Sequence, residues 1–569
     1  MAILQPLIDL AAVCYRKGIR HVVISPGSRS AALTLAFTRH KGFSLHVCMD
    51  ERSAGFIALG MAQQLNIPVV LICTSGSAAY NYAPAVSEAF FQQVPLLVLS
   101  ADRPKEWLHQ YDGQTIYQTE IFGKHVKRSF EFSSDYEHKD VKWAINRISN
   151  EAVNLAGAVP MGPVHINVPI REPFYPSESD HFQESESIRI IEKPDSSVIF
   201  SEPVWHELLN EWDDSPKILI AGGQNKPDPE LKKVLGTISE EWDIPVLGDC
   251  ITNIPDDEFI TSHDLFLNAA GQELVPDLLI TFGLSFISKE FKQFIRKNPP
   301  RRHWHIGEDE FLTDPMQSLT KQVSVSAGYF FKNLFERIDN QLFIQNSEPE
   351  TDAGFKQNWL QKEYQTRSKR SKFLRNMLVL NDLTAIDNVF KAITQSFQLH
   401  VGNSMSVRYV NALGIPNGIT GVFCNRGTSG IDGCVSTAIG AAMVNHQDTL
   451  LIVGDVAFLY DRNGLLIAPL PQHLKIIVIN NAGGNIFRMI EGPGALPEIE
   501  TYFETRHSFT AERTCADSGI AYFRATDIPS LHTALHEFLE SRTISLLEIF
   551  TDPYENEKAW KSLKGLFRA

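Results

Sequence analysis

The chain has little cysteine, no long apolar run and no excess of basic residues. Its seven cysteines never form a Cys-x-x-Cys pair, so neither a disulfide framework nor a zinc site is indicated. No apolar run reaches the roughly 18 residues that a membrane-spanning helix needs. Lys and Arg number 52 against 67 Asp and Glu, giving a net charge of -15. This charge argues against nucleic acid and anionic membranes as partners.

The remaining composition is that of a folded protein with several domains. Residues 1–21 mix acid and base into an apolar periodicity, unlike a secretory leader, and predict an amphipathic first helix of a cytoplasmic protein. A hydrophobic fraction of 43% and a charged fraction of 21% exclude disorder of the chain as a whole. A length of 569 residues is too great for one core and suits about three domains.

Apolar, strand-like runs alternate with helix-like stretches in three blocks. The predicted domains are residues 1–180, 195–345 and 360–569, separated by polar linkers near 175–197 and 345–358. Such alternation indicates parallel sheets covered by helices. We therefore predict an α/β fold of three doubly wound parallel-sheet domains. Ligands of such sheets bind at the carboxyl ends of the strands.

Two neighbouring strand-like runs of the third block end in residues that suit a metal ion. LLIVGD ends in Gly454 and Asp455, and KIIVINN ends in Asn481. Adjacent parallel strands bring these ends together, and a carboxylate with an amide oxygen suits Mg²⁺. Backbone N–H groups after Gly454, at the start of the next helix, would bind a diphosphate. A plain helix cap at Asp455 and a turn at Asn481 fit the same residues.

This spacing resembles the metal and diphosphate motif of thiamine diphosphate enzymes. Its usual form is Gly-Asp-Gly with a terminal Asn-Asn, and Val456 stands at the third position here. The resemblance implies that Mg²⁺ or Mn²⁺ is held by Asp455, Asn481 and the carbonyl of Gly483. It implies that thiamine diphosphate also contacts Gly454, Val456 and Ala457.

Enzymes of this kind use a glutamate from another α/β domain to hydrogen-bond the aminopyrimidine ring of the cofactor. The first block supplies Glu51, directly after a strand-like run. An acid in the first turn of a helix is also favourable without any chemistry. With the distant Asp455 and Asn481 pair, we assign Glu51 as the catalytic residue and as a cofactor contact. Because the two clusters lie on different domains, the resemblance implies a site between two chains of a homodimer or homotetramer.

Six stretches narrow the resemblance to one family. They are SPGSRSAAL at 25–33, residues 50–62, residues 74–104, GNSMSVR at 402–408, NRGTSGIDGCVSTAIG at 425–440, and residues 454–465. Together they are similar to the MenD family, the 2-succinyl-5-enolpyruvyl-6-hydroxy-3-cyclohexene-1-carboxylate synthases of menaquinone biosynthesis. The match covers both outer blocks and is weak in the central one. It implies decarboxylation of 2-oxoglutarate and addition of the resulting carbanion equivalent to isochorismate.

Both of these substrates carry two carboxylates, so a net acidic chain needs local cations, above all arginines with their bidentate fork. The family's motifs place the expected substrate contacts at Ser28, Arg29, Arg103, Gln114, Lys289, Ser404, Arg408, Arg426 and Phe487. Ile431 and Ile486 are expected to pack on the cofactor. Glu290 stands where some relatives have a second base, which puts the Lys289 contact in doubt. Loop arginines also pair with neighbouring acids such as Asp102, and that alternative stays open.

Two other classes of protein stay open at this point. One is a different thiamine diphosphate decarboxylase or carboligase, related to acetohydroxyacid synthase, which would turn over pyruvate. The other is a non-catalytic protein with the cofactor fold, against which intact Glu51, Asp455 and Asn481 argue. NAD or FAD in the central block is not expected, because ILIAGGQNKPDP is not a Gly-x-Gly-x-x-Gly turn.

Overall fold

The computed structural model describes residues 5–172, 175, 182–194, 196, 198–254, 259–309, 311–345, 351–490 and 492–568. These residues build three units, each on one all-parallel sheet with helices on both faces. The predicted fold class is therefore confirmed. Parts of the predicted linkers, residues 176–181, 195, 197 and 346–350, lie outside the described residues, as do residues 173–174 just before the first linker. The domain limits drawn from the sequence stay predictions.

The first unit has a six-stranded sheet in the order β2-β1-β3-β4-β6-β5. Its strands are β1 (His21–Ile24), β2 (Ser44–Val47), β3 (Val69–Cys73), β4 (Leu96–Asp102), β5 (Arg128–Glu131) and β6 (Val164–Pro169). Its helices are α1 (Gln5–Arg16), α2 (Ala31–Thr38), α3 (Glu51–Leu65), α4 (Ser77–Asn81), α5 (Ala83–Phe91) and α6 (Lys139–Gly157). Strands β3, β4 and β6 are buried along their whole length, as expected for central parallel strands.

The central unit has a five-stranded sheet in the order β11-β10-β9-β7-β8. Its strands are β7 (Ile218–Gly222), β8 (Val246–Gly248), β9 (Leu278–Phe282), β10 (Arg302–Ile306) and β11 (Lys321–Val323). Its helices are α7 (Glu202–Asp213), α8 (Pro229–Glu241), α9 (His263–Phe266), α10 (Lys289–Lys297) and α11 (Ala327–Gln345). Helix α12 (Ala353–Arg375) follows and connects two units. Its Phe355 and Trp359 pack in the central core, and Leu374 packs in the third.

The third unit has a six-stranded sheet in the order β13-β12-β14-β15-β17-β16. Its strands are β12 (Phe397–Val401), β13 (Ile419–Phe423), β14 (Thr449–Gly454), β15 (Leu474–Asn480), β16 (Ala521–Ala525) and β17 (Ser545–Phe550). Its helices are α13 (Asp382–Ala392), α14 (Met405–Leu413), α15 (Cys434–Val444), α16 (Asp455–Asp461), α17 (Ile486–Met489), α18 (Glu512–Ser518), α19 (Ile528–Glu540) and α20 (Pro553–Gly565). Counted along the chain, this strand order repeats that of the first unit.

Helices α3 and α15 join the first and third units at close range. A Cβ at Gly60 would lie 2.0 Å from the Thr437 carbonyl oxygen, and one at Gly440 would lie 1.9 Å from the Ile57 carbonyl oxygen. Glycine is therefore needed on each helix where the two backbones meet. One core of buried residues runs across this contact. The helix that begins at Glu51 is thus packed directly on the third unit.

None of the helices in the described ranges has both the length and the apolar character that a membrane span requires.

Candidate active site

Asp455 lies where β14 passes into α16, at the carboxyl edge of the third sheet. Strands β14 and β15 are hydrogen-bonded neighbours, so the loop after β15 folds over this position. The Asp455 Oδ2 atom accepts a hydrogen bond from the Gly483 amide at 3.0 Å, and His507 Nε2 lies 3.3 Å from the same oxygen. Both predicted strand ends therefore meet around one buried carboxylate.

The two consecutive asparagines after β15 have different surroundings. Asn480 is satisfied at both ends of its amide: Nδ2 donates to Glu548 Oε1 at 2.7 Å and Oδ1 accepts from the Ala482 amide at 3.1 Å. Asn481 donates from Nδ2 to Asp382 Oδ2 at 3.0 Å. Its Oδ1 is buried and has no hydrogen-bond partner among the described residues. Of the two side chains, only Asn481 keeps a free oxygen for a ligand.

The loop that carries Gly483 is tightly held. A Cβ at Gly483, where φ is +154°, would lie 2.6 Å from the Glu504 carbonyl oxygen. The same carbonyl accepts a hydrogen bond from the Gly484 amide at 2.7 Å. Arg488 binds the buried Glu504 carboxylate through Nε at 2.5 Å. The close backbone approach requires glycine at position 483 and fixes the loop beside Asp455.

These groups fit a hard divalent cation. A carboxylate and an unpartnered amide oxygen are the donors that Mg²⁺ and Mn²⁺ take. Burial raises the pKa of Asp382 to about 6, and the Asp455 carboxylate nearby acts in the same direction. A cation next to Asp455 and Asn481 would relieve this repulsion between two buried acids.

Two helices begin side by side next to this cluster. Strands β12 and β14 are paired, and α14 and α16 follow them. A Cβ at Gly454 would have Ser406 Oγ at 4.0 Å as its nearest neighbour, so the space at this point is open. Ser404, with φ +72°, precedes α14. The strand order reverses between β12 and β14, and parallel sheets of this kind bind ligands at such a reversal. The N-termini of α14 and α16 at this point favour an anion.

Glu51 is the first residue of α3 and is half-buried. Its carboxylate has no hydrogen bond or ion pair with any residue in the described ranges. The start of α3 lies against the end of α16, because Arg52 donates to the Tyr460 carbonyl at 2.7 Å and Asn463 donates to Asp50 at 2.8 Å. Asp455 is at the opposite end of α16, about 9 Å away along the helix.

The predicted contacts of the first unit surround the carboxyl ends of its strands. Arg29 is buried and donates to Glu172 at 3.0 Å and to the Ile170 carbonyl at 3.2 Å. Arg103 pairs with Asp112 at 2.8 Å. Asp102, which the sequence offered as a partner for these arginines, binds the Arg103 amide and Asn167 instead. Ser28 and Gln114 are exposed.

Three cations gather at the junction of the central and third units. Arg408 donates to the Ser404 carbonyl at 2.5 Å, and burial together with Arg426 lowers its pKa. The buried Arg426 Nε has no hydrogen-bond partner among the described residues. Lys292 is the third, since burial lowers its pKa and Arg426 and Arg408 add to this. Lys292 and Arg426 line one cavity of ≈ 1260 Å³.

Lys292 was not singled out in the sequence, whereas Lys289 was. Lys289 is exposed and has no polar partner among the described residues. Glu290 accepts from Lys564 at 3.3 Å. Lys292 follows Lys289 by three residues, so on a helix the two lysines lie on the same face, one turn apart. This spacing could have pointed to Lys292 from the sequence, but only if the start of α10 at Lys289 had been known.

The predicted apolar contacts occupy two places. Ile431 packs against the core shared by the first and third units. Ile486 and Phe487 open α17 directly after the Gly483 loop. Ile486 packs on the core of the third unit, and the Phe487 ring lies 5.6 Å from that of Phe503.

Comparison with known proteins agrees with this geometry. Residues 9–126 match the family model of the thiamine pyrophosphate enzyme N-terminal TPP binding domain. A 2-succinyl-5-enolpyruvyl-6-hydroxy-3-cyclohexene-1-carboxylate synthase of Cytophaga hutchinsonii is 41% identical over 99% of this chain and 98% of its own length. Proteins of the same name from Flavobacterium johnsoniae and Porphyromonas gingivalis are 37% and 36% identical, covering 98% and 96% of this chain and 97% and 94% of theirs.

The chain belongs to the 2-succinyl-5-enolpyruvyl-6-hydroxy-3-cyclohexene-1-carboxylate synthase family. The predicted family, the class of thiamine diphosphate-dependent transferase and the cofactor thiamine diphosphate are therefore confirmed. The metal ion, the individual site residues and the oligomeric state stay predictions.

Proposed function

We propose that this chain decarboxylates 2-oxoglutarate and adds the succinyl semialdehyde carbanion equivalent to isochorismate in 1,4 fashion. The products are 2-succinyl-5-enolpyruvyl-6-hydroxy-3-cyclohexene-1-carboxylate and CO₂, and the reaction belongs to menaquinone biosynthesis. The proposal depends on one observation above all. In this chain of the synthase family, the Asn481 Oδ1, which has no partner among the described residues, lies at the same strand edge as Asp455.

The chain's own residues have distinct tasks at the cofactor. Asp455, Asn481 and the Gly483 carbonyl would hold Mg²⁺ or Mn²⁺, and the starts of α14 and α16, including Gly454, Val456 and Ala457, would hold the diphosphate. Glu51 would hydrogen-bond the aminopyrimidine ring and exchange a proton with it. Ile431, Ile486 and Phe487 would cover the reacting end and exclude water. Thiamine diphosphate, when bound, supplies the electron sink for decarboxylation.

The basic residues of the site would bind the carboxylates of the substrates. Both substrates carry two carboxylates, and the chain carries a net charge of -15, so binding needs local positive charge. Arg426 helps to lower the pKa of Arg408, and both arginines help to lower the pKa of Lys292. A bound anion among these cations would relieve their repulsion. Arg29, Arg103, Ser28, Gln114, Ser404 and Lys289 are proposed as the remaining contacts.

A second copy of the chain would complete the site. Within one chain Glu51 adjoins the end of α16 that is remote from Asp455. Exposed apolar side chains lie around the Glu51 end: Val47 and Met49 precede Glu51, and Tyr460 and Leu466 lie at and after the adjoining end of α16. Apolar surface of this kind marks an interface. We propose a homodimer or homotetramer with the active site between chains.

The location and the domain limits are also proposed. The seven cysteines are free and buried, which suits the reducing cytoplasm. The predicted domains 1–180, 195–345 and 360–569 would be a pyrimidine-binding, a central and a diphosphate-binding domain.

The test is product identification. The purified chain is incubated with 2-oxoglutarate, isochorismate, thiamine diphosphate and Mg²⁺, and the product is identified by mass. We expect the named product, and none when either the cofactor or Mg²⁺ is left out. Pyruvate in place of 2-oxoglutarate serves as the competing donor. Turnover of pyruvate without any need for isochorismate would overturn the proposal in favour of an acetohydroxyacid synthase-like enzyme.

A further inference from the structure

The side-chain amide of Asn481 is held by a single buried carboxylate from a distant part of the chain. Asp382 is the first residue of α13 and is 2% exposed. Its Oδ2 accepts from Asn481 Nδ2 at 3.0 Å, and its Oδ1 accepts from Thr551 Oγ1 at 2.6 Å. The Asp382 amide donates to Asn556 Oδ1 at 2.8 Å. Asp382 is therefore fixed on three sides, and among the described residues it is joined to the site by its bond to Asn481.

This contact decides which way the amide faces. A carboxylate without a proton accepts hydrogen bonds and donates none. The flipped Asn481 amide would place its own oxygen against the Asp382 oxygens, which is unfavourable in a buried place. With Nδ2 anchored, Oδ1 points the other way, where it is buried and unpartnered among the described residues. The neighbouring Asn480, held by Glu548, has both ends of its amide satisfied within the protein.

We propose that Asp382 is a positioning residue, which orients Asn481 so that its Oδ1 faces the divalent cation shared with Asp455. The inference rests on the proposed metal site. Groups that orient metal ligands typically change metal affinity by about 10–100-fold when they are replaced. Asp382 would act on the metal without touching it.

The experiment measures metal binding as well as activity. Mn²⁺ is titrated into the full-length protein in the presence of thiamine diphosphate, with bound Mn²⁺ followed by electron paramagnetic resonance. We expect Asp382→Asn to weaken Mn²⁺ binding about 10-fold or more. Thr551→Val, which removes one hydrogen bond to Asp382, should weaken it less. Saturating Mn²⁺ should restore most of the turnover of both variants.

Two comparisons separate positioning from damage to the fold. Glu548→Gln alters the carboxylate that holds Asn480, and we expect Mn²⁺ affinity to stay within about twofold of the wild type, since Asn480 is no ligand. In an Asn481→Ala background, Asp382→Asn should cause no further loss, because residues that act through one another are not additive. Full additivity of the two losses, or unchanged Mn²⁺ affinity in Asp382→Asn, would overturn the inference. Failure of the wild type to bind Mn²⁺ would instead refute the proposed metal site.

Discussion

Glu88 of the first unit accepts a hydrogen bond from the Gly427 amide of the third unit at 2.7 Å. The other carboxylate oxygen accepts from the Thr428 amide, also at 2.7 Å. Glu88 is 1% exposed, and a Cβ at Gly427 would lie 2.8 Å from the Glu88 carbonyl oxygen. One buried carboxylate in α5 thus fixes the loop that begins with Arg426.

Glu88→Gln should loosen this loop and weaken binding of the acidic substrates. An amide replaces one accepting oxygen with a donor, so a buried N–H of Gly427 or Thr428 loses its partner at a cost of about 1–3 kcal/mol. We expect KM for the substrate bound by Arg426 to rise about tenfold, with cofactor affinity retained. Steady-state kinetics checks this against Glu540→Gln, which changes an exposed glutamate. Equal KM values for both variants would contradict the role given to Glu88.

Gly440→Ala should destabilise the protein, because its Cβ would lie 1.9 Å from the Ile57 carbonyl oxygen. The clash is with backbone, so α3 and α15 must move apart at a cost of about 1–3 kcal/mol or more. Gly236→Ala is the matched control: it also lies inside a helix, and a Cβ there meets nothing within 4 Å. That control should gain up to about 1 kcal/mol in helix propensity. Denaturant midpoints measure both, and a Gly440→Ala protein as stable as the control would refute the contact.

Sequence reasoning reached the fold class and the strand ends, because both depend on local pattern. Alternating apolar runs specify parallel strands, and polar residues at their ends mark the edge where ligands bind, as at Asp455 and Asn481. It did not reach Asp382, which lies 99 residues from its partner Asn481, or Glu88, which is 339 residues from Gly427. A buried acid that serves a distant loop looks, in the sequence, like any acid in the first turn or the body of a helix.

The partners of the arginines could not be predicted from the sequence either. Their motifs place Arg29 and Arg103 in loops, but only the structure shows Glu172 and Asp112 as their partners. Lys292 joins Arg408 and Arg426 because α10 begins at Lys289 and turns its next lysine toward the third unit. A helix start is among the least certain features of a sequence-based assignment.

Glu51→Gln should keep cofactor binding and lose turnover. The diphosphate and metal end of the site is unchanged, whereas an amide cannot exchange a proton with the aminopyrimidine ring, so we expect kcat to fall about 10²–10⁴-fold. Calorimetry of thiamine diphosphate binding and steady-state kinetics give the two readouts. Asp50→Asn is the neighbouring control: Asp50 caps α3 by accepting from the Ser53 amide, and asparagine is also a good N-cap residue. Turnover of Glu51→Gln close to that of Asp50→Asn would remove Glu51 from the mechanism.

Asp461 should make the stability of the protein depend on pH. It is buried and accepts hydrogen bonds from the Ser436 amide and hydroxyl, each at 2.7 Å. Burial raises the pKa of this carboxyl from 3.8 to about 7. A raised pKa in the folded state means that the carboxyl's contribution to stability is fully present below pH 3.8 and lost as the pH rises through 7. Ionised Asp461 then costs the folded state about 4 kcal/mol.

Asp461→Asn removes this titration while it keeps an acceptor for Ser436. The stability of the variant relative to the wild type should increase as the pH rises from 4 to 7.5. The variant should be the more stable protein at the upper end of that range. The difference between the two thermal midpoints, taken at each pH, cancels the titration of all other groups. A midpoint difference that stays constant over this range would show that Asp461 does not change its charge there.

Mixed dimers test whether Glu51 and Asp455 act across chains. Glu51→Gln and Asp455→Ala are produced together with different affinity tags, and the heterodimer is isolated through both. One of its sites combines the intact Glu51 of one chain with the intact Asp455 of the other, and the second site lacks both. We expect each parent homodimer to be inactive and the heterodimer to show roughly half of the wild-type turnover. If both residues served a site within one chain, every site in the heterodimer would carry a defect, and no turnover would return.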